Sequence, residues 1–179
     1  MGAVDNLILK YIDISERGVC VEYGSDSVDT LGEHLYQFEA GNWIVLCIQP
    51  DPDVFSVVRT HRRLVLNEKC GPTDSEGSKK LDTILSKTNL KKVDLLLLKR
   101  DHHDFYSILN GFDTIYWGTR VIVVEIANDD KRIGEYLGNL GFSFGERIHN
   151  YFIFRRDQSY ISKEQKSVKK EGIDHIFSV

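Results

Sequence analysis

Cysteine is scarce in this chain: Cys20, Cys47 and Cys70 are the only three in 179 residues. An odd number, with no C-x-x-C pair and no metal-ligand spacing, argues against a disulfide framework or a zinc site. Cys20 and Cys47 sit inside apolar strand patterns, where a reduced thiol packs as a small hydrophobe, so the compartment expected is a reducing one, the cytoplasm. Long apolar runs are missing too. The opening MGAVDNLILKYIDISERG is broken by Lys10 and Asp13, which leaves it too short for a signal peptide or a membrane span. Asn6 stands where a myristoylation signal wants Ser or Thr. Nor is there an excess of positive charge, because the formal net charge is -4. That balance argues against a general grip on nucleic acid. Lysines crowd only the C-terminal end, at Lys163, Lys166, Lys169 and Lys170, where Glu164, Glu171 and Asp174 offset them. The segment reads as a solvated helix or tail rather than a phosphate patch. No Gly-x-Ser-x-Gly elbow, Walker loop or His-Glu-x-x-His run is present, which leaves hydrolase and nucleoside-triphosphatase readings without support.

What is present is enough for one core. With 41% hydrophobic and 28% charged residues, the chain reads as a single domain over 1–158 followed by a polar charged tail or helix over 159–179. Short β-rich runs alternate with segments of helical period, the pattern of an α/β fold with a mostly parallel sheet and helices on both faces. Helices are predicted over 4–14, 28–39, 53–60, 79–89, 104–111 and 129–140, the last closed by Gly141 as a C-cap. Strands are predicted over 18–23, 43–48, 63–67, 93–99 and 119–126, with a final antiparallel strand over 150–156. The run VDLLLLK is apolar on both faces, which places it at the middle of the sheet. Residues 68–78, with Gly71, Pro72, Asp74 and Gly77, form the clearest loop.

Seven segments carry a resemblance by their order: VCVEYGSDSVDTL, WIVLCIQPDPDVF, LDTIL, VDLLLLKRD, ILNGFD, VIVVEI and NYFIFRR. Together, over residues 16–156, they resemble the FkbM family of S-adenosylmethionine-dependent methyltransferases, the LDTIL helix ahead of a strand ending in Lys-x-Asp being the most characteristic. The resemblance implies a Rossmann-like class I methyltransferase fold, S-adenosylmethionine as cofactor, and transfer of its methyl group to a small-molecule or glycan-like acceptor, with no nucleic acid or membrane partner.

Its implied cofactor residues lie in three strand-end turns. Glu22, Gly24 and Ser25 belong to the first, where a glycine lets backbone pass close to a ligand. Gln49, Pro50 and Asp51 follow the second strand, where such folds place an acid on the ribose hydroxyls. Gln49 brings no charge, so its ribose grip is expected to be weaker than a carboxylate's by about 1–2 kcal/mol, and Asp51 is the candidate substitute. Asn67 and Glu68 match the adenine side, with loop capping as the competing role. On the acceptor side stand Asp101, His102, His103 and Glu125. A neutral imidazole beside a carboxylate can take a proton from a substrate hydroxyl. The competing role for the Asp101–Asp104 cluster is a helix cap through Asp104. Metal ligation is disfavoured because consecutive side chains diverge.

The sequence also departs from the family's pattern. Ser27 or Val28 replaces a second glycine, and His103, Asp104 and Tyr106 stand where the family has a Glu-Gly pair and a later Glu. These changes support a second expectation, an inert methyltransferase-like scaffold that binds a protein or a metabolite.

Overall fold

The computed structural model describes residues 3–24, 35–99, 105–126 and 131–156. Seven strands form one sheet: β1 (Val19–Tyr23), β2 (Ile44–Ile48), β3 (Leu64–Leu66), β4 (Leu95–Leu98), β5 (Val121–Glu125), β6 (Ser143–Ile148) and β7 (Tyr151–Arg155). Their order is β3-β2-β1-β4-β5-β7-β6, parallel from β3 to β5 and antiparallel at β7 and β6. As VDLLLLK implied, β4 is the central strand.

Period-two patterning sends alternate side chains to two cores. On one face Val21, Tyr23, Leu46, Leu96, Leu98, Ile122 and Val124 pack with helices α4 (Leu81–Ser86), α5 (Phe105–Asn110) and α6 (Lys131–Asn139). On the other, Cys20, Val45, Leu95, Leu97, Val121 and Val123 pack with α1 (Ala3–Ile8) and α2 (Tyr36–Ala40). Toward the β3 edge of that face, Cys47 meets Val58 of α3 (Pro52–Val58). Helices on both faces of a mostly parallel sheet make the expected α/β architecture.

Three expectations need correction. The opening helix stops at Ile8 instead of running to 14, because the chain tightens into turns and Asp13 accepts the Ser15 amide in a local turn. The third predicted helix starts earlier, with Asp51 as its N-cap accepting from the amides of Asp53 and Val54 and Pro52 in the first turn. An additional strand, β6, pairs with β7 through a two-residue connection in which His149 has φ 50°. The sequence hides β6 because it carries Gly145 and a register shift between Phe144 and Arg147. A Cβ at Gly145 would stand 2.9 Å from the Tyr11 hydroxyl, so the glycine is there for close packing. Gly141, with φ 82°, closes α6 as the pattern required.

Candidate functional site

Strand order reverses between β1 and β4, and in open α/β sheets that switch point opens a crevice beyond the carboxyl ends of the strands. Gly24 leaves β1 there with φ 70°, a conformation that strains any residue with a Cβ, and its N–H donates to the Ile48 carbonyl at 3.1 Å. The same seam continues outward. Gln49 N–H donates to the Leu66 carbonyl at 2.8 Å, and Asn67 Nδ2 donates to the Gln49 carbonyl at 2.8 Å. Glu22, Gly24, Gln49, Pro50, Asp51, Asn67 and Glu68 are thus assembled along one rim, with Glu125 further along at the end of β5.

Within that rim the side chains have particular tasks. Gln49 is fully buried and its Oε1 accepts the Asp51 N–H at 3.1 Å, which shapes the turn after β2. Asp51 is exposed; its Oδ1 caps α3, while Oδ2 accepts no hydrogen bond among the described residues. Asn67 ties β3 to β2, and Glu68 is ion-paired with Lys79 at 2.6 Å across the 68–78 loop. Glu125 is half-buried. Ser25, Asp101, His102 and His103 lie outside the described residues.

Sequence reading missed a buried ion network beneath the rim. Glu22 is fully buried, with Lys99 Nζ at 2.9 Å and the Arg62 guanidinium at 3.7 Å; Arg62 also lies 3.4 Å from Glu39. Two carboxylates and two cations offset one another, which is what makes their removal from water tolerable. Lys99 closes β4 and Glu22 lies in β1, so their pair clamps the two strands that flank the switch point. The available signal was charge at the ends of apolar runs: VCVE and LLLLK each finish on an ionisable residue.

The three cysteines pack within the hydrophobic clusters. All three are free and buried; burial pushes the thiols of Cys20 and Cys47 well above their usual range and that of Cys70 up to about 12. Among the described residues no group of His, Cys, Asp and Glu side chains is arranged to hold a metal ion, and no helix is long and apolar enough to cross a membrane.

Solved structures share this architecture. The precorrin-6y C5,15-methyltransferase of Geobacter metallireducens superimposes with a TM-score of 0.59 at 13% identity, over 86% of this chain and 88% of that one. The FkbM methyltransferase of Methylobacillus flagellatus gives 0.58 at 13% identity over 78% of this chain, which spans 43% of that protein. The fold is that of the Rossmann-like methyltransferases. The precorrin 8w decarboxylase of Methanobacterium thermoautotrophicum superimposes as well, with a TM-score of 0.55 at 17% identity over 84% of this chain and 87% of that one. At such identities the likeness is one of fold. No protein-family model matches the sequence, and no curated protein matches it.

Proposed function

We propose that this chain is an S-adenosylmethionine-dependent methyltransferase acting on a hydroxyl of a small-molecule or glycan-like acceptor, of FkbM type by the order of its seven sequence segments. The observation that carries the reading is the rim at the switch point: a positive-φ glycine after β1 and, one strand over, an exposed Asp51 with Oδ2 uncommitted. Gly24 gives the methionine portion of the cofactor a backbone surface without a Cβ, and Asp51 takes the ribose role that the buried Gln49 leaves open. The cofactor supplies an electrophilic methyl group on a sulfonium. The chain then has only to hold acceptor and cofactor in line and remove a proton from the acceptor, a task assigned here to His102 or His103 beside Asp101, with Glu125 at the same end of the sheet. Residues 1–158 form the working domain in this reading, and three reduced thiols accord with the cytoplasm.

A second reading, a scaffold that has lost catalysis, is favoured by one feature: the Glu22 charge at the first turn is committed to Lys99 and Arg62. Calorimetry with S-adenosylmethionine separates the two. Micromolar binding that is abolished by Gly24→Asp and weakened about tenfold by Asp51→Ala supports the enzyme and justifies an acceptor screen. Failure to bind at millimolar cofactor rejects it in favour of the scaffold.

A further inference from the structure

A cavity of about 480 Å³ opens at the opposite end of the sheet from the switch-point crevice. It is bounded by Val121 at the start of β5, by the segment after α1, and by the ends of β6 and β7. The length of β5 alone separates it from the crevice by roughly 13–17 Å. Its volume is that of a small-ligand pocket, on the order of 300–1,000 Å³.

The chemistry of its walls is one-sided. Lys10, Arg120, Arg155 and Arg156 supply four cationic side chains, Tyr11 and Ser143 supply hydroxyls, and no carboxylate belongs to the lining among the described residues. These groups are positioned by what surrounds them. Arg156 is buried, donates to the carbonyl and hydroxyl of Thr114 at 3.2 and 2.8 Å and to the Leu140 carbonyl, and stacks 4.0 Å from the Phe142 ring centroid. Arg120 is held by Asp94 at 3.2 Å and by Glu16 at 3.8 Å, and Lys10 by Glu146 at 2.8 Å, the three carboxylates standing outside the lining. Arg155 differs: it is exposed, lies 5.6 Å from the Tyr11 ring centroid, and has no carboxylate partner among the described residues. A planar guanidinium held against an aromatic ring is a preorganised fork for an oxyanion.

We infer that this cavity is a binding site for a small phosphate monoester, with the phosphate on Arg155 and within reach of the Lys10 and Arg120 charges. Arg155, with no carboxylate partner among the described residues, gives the lining a cation to spare beside the paired Lys10 and Arg120, which favours an anion there, and the volume leaves room for the rest of a small phosphorylated molecule beyond the phosphate. The site is independent of the methyltransferase reading because none of its residues lies on the switch-point rim.

The test is calorimetry on the full chain with glycerol phosphate, acetate and heparin as separate probes. Saturable binding of glycerol phosphate at about 0.1–1 mM is expected, with Arg155→Ala weakening it about tenfold and Arg155→Lys by less. Arg155 is exposed, so its replacement leaves the core intact, and circular dichroism of each variant checks that directly. Gly24→Asp should bind glycerol phosphate as the parent does, which keeps failure of this site distinguishable from failure of the cofactor site. The proposal is overturned by absent binding, by binding indifferent to Arg155→Ala, by equal binding of acetate, or by binding of heparin alone.

Discussion

Glu22 shows how little the sequence around a side chain says about the partners that the fold gives it. Its position at the end of an apolar strand suggested a part in holding a cofactor, whereas its carboxylate is buried between Lys99 and Arg62. Removing one partner from such a network strands the other, so Lys99→Met is expected to cost about 3–5 kcal/mol of stability by leaving Glu22 with only the more distant Arg62. Glu22→Gln should cost a comparable amount, since it leaves the Lys99 ammonium buried without its closest carboxylate. The pair combined should cost less than the two single changes added together, because both remove the same interaction. Urea denaturation of the four proteins measures this; strict additivity would show that the 2.9 Å pair contributes no coupling.

At the scale of elements, two of the segments that carried the family resemblance are bonded to each other. Asp82, in LDTIL, donates its N–H to the Gly111 carbonyl at 3.0 Å; its carboxylate accepts the Asp113 N–H at 3.0 Å and the Trp117 Nε1–H at 2.8 Å. Gly111 is needed where the segments meet, since a Cβ there would stand 2.5 Å from the Gly71 carbonyl oxygen. LDTIL and ILNGFD are thus a structural clamp binding α4 to the segment after α5, and the Trp117 carbonyl of that segment accepts the Val93 N–H just ahead of β4 at 2.9 Å. Asp82→Ala is expected to destabilise by about 1–3 kcal/mol, because it leaves the Trp117 indole N–H and the Asp113 amide without their acceptor. A midpoint unchanged in urea would remove Asp82 from the clamp. The same scale shows what the sequence made legible. The all-apolar LLLL of β4 and the Leu81, Ile84 and Leu85 stripe of α4 follow from periodicity, and both are fully packed. Strand β6 was illegible because its signal is split by a glycine whose reason is Tyr11, far away in sequence. The partnership of Glu22 with Arg62 was hidden likewise, since only the tertiary fold brings the turn before β3 under β1.

For the whole molecule, the sign of the acid response follows from which carboxylates folding favours in the charged form. Asp74 is held below the usual carboxylate range by the Lys80 amide and the Thr83 hydroxyl, and Glu146 by hydrogen bonds from Lys10 and Tyr11. Asp13 is lowered similarly by the Ser15 hydroxyl and amide. Groups with depressed folded values contribute stability that is fully present above the ordinary carboxylate range, about pH 4, and is lost as pH falls through the folded values. Asp82 works in the opposite sense: burial raises it despite its bonds to Asp113 and Trp117, so ionising it weakens the fold, and that cost is recovered as pH falls through its raised value. Among the described residues three lowered carboxylates stand against one raised, so a net fall in thermal stability is expected on acidification below about pH 4. Asp74→Asn should flatten that fall, because the variant has no carboxylate at 74 to protonate, whereas Asp82→Asn should steepen it by removing the opposing contribution. Melting temperatures followed from about pH 7 to 3 check both slopes, and a steeper acid limb in Asp74→Asn would mean that the loop it caps is not held by its charged form.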